Sequence, residues 1–150
     1  SAADRHLHTE IGRNSRLDSV QAAVLSAKLL RLDADNVRRA AAMAGYRERL
    51  PPGCVPVATT PGAEPVYHLA IIQVEDRAAV TQALTAAGIG WGLHYPVPCH
   101  LQPAFESGHL AGGLPVAEAA ADRIVSLPMS PTLDVGQAVR VCDVLRTVTR

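Results

Sequence analysis

Chemistry in this chain rests on few side chains: six histidines, three cysteines and a single lysine, Lys28. The most informative group lies in Ile89 to Tyr95. Read as an extended strand, this run places Ile89, Trp91, Leu93 and Tyr95 on one side and Gly90, Gly92 and His94 on the other. The second face then carries almost no side chains, so another backbone or a ligand can approach closely. His94 stands at the strand end, where loops commonly carry function. The alternative is a helix packed tightly over the glycines with a hydrogen-bonded surface histidine, and the pattern leaves both open.

Other candidates are weaker. His94, Cys99, His100 and His109 match no zinc spacing, and prolines intervene between the would-be ligands. Cys142 falls on the apolar face of the last helix, which argues for packing, and nothing marks Cys99 as activated by a base. His68 lies in an apolar strand and reads as a core histidine. Lys28 is mid-helix on a polar strip, with no acid or arginine placed in sequence to bind a pyridine nitrogen or phosphate. It reads as a solvated or interface residue. No glycine-rich phosphate loop occurs.

Composition sets the frame for these groups. The 150 residues carry 14 basic and 14 acidic side chains, and all the basic ones but Lys28 are arginines, scattered from Arg5 to Arg150. Zero net charge without a basic stripe removes the footprint of a nucleic-acid or anionic-membrane partner. At 48% hydrophobic residues the chain can build the core of one domain. Three widely spaced cysteines with no C-x-x-C argue against a disulfide framework and fit a reducing cytoplasm. No stretch has the layout of a signal peptide or the length of a membrane span. Ser1 to Thr9 is polar and without a helix or strand signal, so residues 1–10 read as a disordered start, either an expression remnant or the edge of a longer chain.

Several elements follow from periodicity. Ser15 and Asp18 form an S-x-x-D capping pattern ahead of a helix over Leu17 to Leu32. Its apolar residues form two flanks: Leu17, Val20, Ala23, Val24, Ala27 and Leu30 on one, Ala22, Leu25, Leu29 and Leu32 on the other. Such a helix needs cover on both. A second helix is expected from Asp35 to Leu50, stopped by Pro51-Pro52-Gly53. Pro51 to Pro65 reads as a loop, and Val66 to Val74 as an interior strand. Asp76 caps the next helix and Gly88 ends it. After the strand through His94, the prolines of Tyr95-Pro96-Val97-Pro98 force an extended exit. Pro115 to Val125 predicts a helix and Ser126 to Met129 a short strand. The last helix starts at Asp134, with Val135, Val139, Cys142, Leu145 and Val148 inward. The fold class is α+β, an α/β sandwich with a small, mostly antiparallel sheet packed with helices.

Taken together, Asn14-Ser15-Arg16-Leu17-Asp18 with Gln21-Ala22-Ala23, Val66-Tyr67-His68-Leu69, Gly88-Ile89-Gly90, His94-Tyr95-Pro96-Val97-Pro98, His100-Leu101-Gln102-Pro103-Ala104 and Ser126-Leu127-Pro128-Met129 resemble, in order, motifs of the DegT/StrS sugar-aminotransferase family. The resemblance runs from about Ile11 to Arg146. It implies that residues 11–150 are the C-terminal small domain of a fold-type I, pyridoxal-phosphate-dependent enzyme, with 15–32 as a helix facing another domain or a dimer mate. The family's Schiff-base lysine, its aspartate under the pyridine nitrogen and most of its phosphate cup lie in a larger preceding domain, so the resemblance implies no catalytic residue here. Lys28 does not match the family's catalytic position. Asn14 matches an asparagine that reaches the cofactor phosphate of the neighbouring subunit, and Arg16 matches the arginine beside it. His94, Tyr95 and His100 match residues bordering the sugar-nucleotide cleft, which favours the site reading of the glycine face. Arg13 departs from the family, which usually carries an aromatic residue there.

The expected activity is transfer of an amino group from a glutamate-like donor to a nucleotide-linked keto sugar, by a cytoplasmic homodimer with no nucleic-acid, membrane or metal partner. Alone, the segment should be inactive. The competing readings are a dehydratase or a cyclitol or aminobenzoate relative within the family, or a free-standing module that binds or dimerises without cofactor.

Overall fold

The computed structural model describes residues 6–14, 17–108 and 113–149. Among these residues, five helices and three strands occur in the order α1 (Ser19–Leu29), α2 (Leu32–Arg49), β1 (Val55–Pro56), β2 (Ala70–Gln73), α3 (Arg77–Ala86), α4 (Pro115–Arg123), β3 (Ile124–Leu127) and α5 (Val135–Arg146), with two 3-10 turns, Cys99–Leu101 and Pro103–Gly108, between α3 and α4. The sheet is antiparallel in the order β1-β2-β3, with Ala70 opposite Leu127 and Ile72 opposite Val125. β2 is therefore the interior strand, and the α+β expectation holds.

Alternation along the strands decides where the core sits. Ala70, Ile72 and Val74 from the β2 side and Val125 and Leu127 from β3 turn toward Met43 and Tyr46 of α2, Val80 and Leu84 of α3, and Ala138, Val141, Cys142 and Leu145 of α5. Tyr46 is fully buried and its hydroxyl donates to the Pro128 carbonyl at 2.9 Å. Burial pushes that hydroxyl's pKa well above its usual value, so it remains a donor.

Caps set the helix starts. Asp76 accepts from the Ala79 amide at 2.9 Å, and Asp134 and Gln137 form a reciprocal capping box. At α1, Asp18 is itself the N-cap and accepts from the Gln21 amide at 2.7 Å. This revises the expected Ser15–Asp18 pairing, of which Ser15 lies outside the described residues. Val135 is 66% exposed rather than inward, because Ala138, one turn on, takes the buried face of α5.

Two expected strands are shorter than their apolar runs. Val66 to Val74 narrows to β2, since Tyr67 adopts φ 47 and breaks the extended backbone. Ile89 to Tyr95 contributes only an isolated bridge, Gly92 to Ser126, at the outer edge of β3. Its glycines bring no side chains to pack, Tyr95 adopts φ 59, and Pro96 and Pro98 cannot donate to a ladder. None of α1 is buried, and both apolar flanks stand open, Val20 at 74% and Leu29 at 64% exposure.

Candidate functional site

The site is built on the single bridge that survives from the expected strand. Gly92 and Ser126 exchange backbone hydrogen bonds at 3.0 and 2.9 Å, which brings His94 alongside β3. Its Nδ1 lies 2.8 Å from Ser126 Oγ. The imidazole lies over Gly92, because a Cβ added there would meet His94 Cε1 at 3.0 Å. Gly90 has nothing within 4 Å of the same position. The two glycines thus do different jobs: Gly92 seats the histidine, whereas Gly90 leaves bare, exposed backbone. A cavity of about 390 Å³ opens there, lined by His68, Gly90, Trp91, His94, Ser126 and Met129. His68 is exposed and faces this cavity, which corrects its reading as a core histidine.

Tyr95 and His100 do not join His94. They line a second, more apolar cavity of about 510 Å³ with Pro98, Leu114, Ala117 and Ile124. The backbone explains the separation: Tyr95 follows His94 with a left-handed φ of 59, a conformation that costs a non-glycine residue about 1–2 kcal/mol. Tyr95 is 75% exposed. His100 is largely covered, and its Nε2 meets Glu118 Oε1 at 2.9 Å. That bond, and next the Leu114 amide, hold the Glu118 carboxyl below its ordinary pKa.

Gln102, assigned no role from the sequence, is the buried link of this region. Its side-chain amide donates to the carbonyls of His6 at 2.9 Å and Val97 at 3.2 Å, and its oxygen accepts from the His8 amide at 3.0 Å. Ala104 N–H adds a bond to the His8 carbonyl at 2.9 Å. His6 and His8 are thereby tied to the 97–104 loop. The available signal was a glutamine between an apolar residue and Pro103, since a side-chain amide can serve donors and acceptors at once.

Asn14 is exposed in irregular backbone four residues before the Asp18 cap; Arg16 and His109 lie outside the described residues. Lys28 is exposed in the last turn of α1 and lines neither cavity. An asparagine amide carries donors of the kind a cofactor phosphate takes, whereas Lys28 lines neither cavity. Burial pushes the Cys54 and Cys142 thiols up, away from nucleophilic use. Among the described residues, no three His, Cys, Asp or Glu side chains gather as a metal site would require, and no helix is long and apolar enough to cross a membrane.

The described residues form an antiparallel sheet backed by three helices, with a histidine-bearing loop at its edge and an apolar helix ahead of it. It superposes on Streptomyces venezuelae DesV, solved in complex with a ketimine intermediate, with TM-score 0.80 and 44% identity over 91% of this chain and 38% of that one. A DegT DnrJ EryC1 StrS aminotransferase from Brucella abortus gives TM-score 0.79 and 35% identity over 91% of this chain and 37% of that one. In sequence, the chain is 43% identical to the dTDP-3-amino-3,4,6-trideoxy-alpha-D-glucose transaminase of Streptomyces venezuelae over 95% of its own length and 38% of that enzyme's. It is 40% identical to the EryC1 protein of Saccharopolyspora erythraea, named for erythromycin biosynthesis and sensory transduction, over 86% of this chain and 36% of that protein. The profile of the DegT/DnrJ/EryC1/StrS aminotransferase family matches residues 1–146, and the chain belongs to that family. It spans well under half the length of these relatives.

Proposed function

We propose that this chain is the C-terminal part of a pyridoxal-phosphate-dependent nucleotide-sugar aminotransferase, a cytoplasmic homodimer that moves an amino group from a glutamate-like donor to a keto sugar. The observation that carries this reading is the 43% identity, across 95% of the chain, to an enzyme named as a dTDP-amino-sugar transaminase. Residues 11–150 form the small domain, and 15–32 face the larger domain or the dimer mate; the fully open α1 supports this.

When bound, the cofactor supplies the aldehyde that carries the amino group between the two substrates. This chain's residues bind and orient. Asn14 and Arg16 donate to the phosphate of the neighbouring subunit's cofactor. His94, Tyr95 and His100 border the sugar, His94 from the glycine side and the other two from the apolar side of the loop. The separation of the two cavities supports a substrate that straddles the 94–100 segment.

The test joins this chain to the N-terminal portion its relatives carry and supplies a nucleotide-linked keto sugar with L-glutamate. Mass spectrometry should find the amino sugar and 2-oxoglutarate in equal amounts, and the 150-residue chain alone should yield neither. A folded, cofactor-loaded protein that forms no amino sugar from any nucleotide-linked keto sugar contradicts the proposal.

A further inference from the structure

Glu118 sits in the first turn of α4 and is held by three separate features. Its Oε1 accepts from the Leu114 amide at 2.8 Å, and Leu114, the N-cap residue, has no side-chain cap of its own. The same oxygen meets His100 Nε2 at 2.9 Å. Gly113 adopts φ 67, and a Cβ there would stand 2.9 Å from this Oε1, so glycine keeps the space the carboxylate occupies. An ionised carboxylate is an acceptor only. The proton in the contact with His100 therefore belongs to Nε2, and a neutral imidazole so bonded has its remaining nitrogen, Nδ1, as an acceptor.

We propose that Glu118 is a positioning residue that fixes His100 as the Nε2–H tautomer, so that the Nδ1 of His100 serves as hydrogen-bond acceptor for a hydroxyl of the bound sugar. The second half rests on the reading of His100 as a sugar-facing residue; the first does not. The arrangement makes His100 selective in sign. While its ring is neutral, Nδ1 accepts from a hydroxyl or an amine and has nothing to give an unprotonated oxygen.

Long-range ¹H–¹⁵N spectra of the histidine rings, recorded at alkaline pH, distinguish the two tautomers directly. In the unmodified chain His100 should be the Nε2–H form. Glu118→Gln should retain it, because the Leu114 amide still orients the side-chain oxygen, whereas Glu118→Ala should release a mixture. Gly113→Ala, which displaces the carboxylate with a methyl group, should move His100 in the same direction as Glu118→Ala. An Nδ1–H ring in the unmodified chain overturns the proposal without any variant, and so does a Glu118→Ala ring identical to wild type. In the joined enzyme, Glu118→Ala should raise KM for the keto sugar by the inverse of the Nε2–H fraction the spectra give, about twofold for an even mixture, with the glutamate half-reaction unchanged and Glu118→Gln close to wild type. A released tautomer with an unmoved KM overturns the sugar contact alone and leaves the positioning role standing.

Discussion

Replacing Gln102 with alanine tests whether the segment around His6 and His8 and the 97–104 loop form one cooperative unit. The side chain makes three hydrogen bonds, two of them to the backbone of His6 and His8. Neutral bonds of this kind contribute about 1 kcal/mol each, so losing two weakens the docking by about 2 kcal/mol, or about 30-fold in the opening equilibrium. The informative probe is the Ala104 amide, whose own bond to the His8 carbonyl at 2.9 Å is untouched by the substitution. Native-state hydrogen exchange should show Ala104 losing protection by about 30-fold, while amides of β2 and β3 keep theirs. Wild-type protection at Ala104 in a folded Gln102→Ala protein would refute the idea that Gln102 couples the two segments.

Other consequences follow from the same contacts. Gly92→Ala should push the His94 ring off Ser126 and lower stability by about 1 kcal/mol in urea titration, whereas Gly90→Ala, with open space, should stay within about 0.5 kcal/mol. Leu145→Ala removes a fully buried side chain and should cost about 2–5 kcal/mol, read as a lower Tm. The pH profile of the urea midpoint should fall at both ends. Asp35, held low by Arg38, and Glu118, held low by His100, have depressed pKa values. They support folding above their ordinary values of 3.8 and 4.5, and that support disappears as pH drops through the depressed ones. Burial raises Cys54, Cys142 and Tyr46, whose contribution is present below their ordinary values and is lost as pH rises through the raised ones. Glu118→Gln should flatten the acid side only.

Helices were legible wherever a cap preceded an apolar period, as at Asp76 and Asp134, because both signals are local. The two apolar flanks of α1 were legible too, and the structure leaves both uncovered. Strand ends were not. What cut β2 short and dissolved the glycine strand was the positive φ at Tyr67 and Tyr95, a conformation that tyrosine does not advertise and that only surrounding structure imposes. The same turn explains why His94, Tyr95 and His100, within seven positions of one another, did not form one site. His94 was readable as a candidate from its glycine neighbours, but its ring fills the gap that one of those glycines leaves. The His100–Glu118 and Gln102–His8 contacts span 18 and 94 positions, beyond the reach of any local pattern.

In the proposed function the 94–100 segment handles the sugar rather than the amino donor. Steady-state and half-reaction kinetics of His94→Ala and His100→Ala in the joined enzyme test it most directly. KM for the nucleotide-linked keto sugar should rise about tenfold or more in each, with the rate at which glutamate loads the cofactor unchanged. An unchanged sugar KM together with a lost glutamate half-reaction would contradict it.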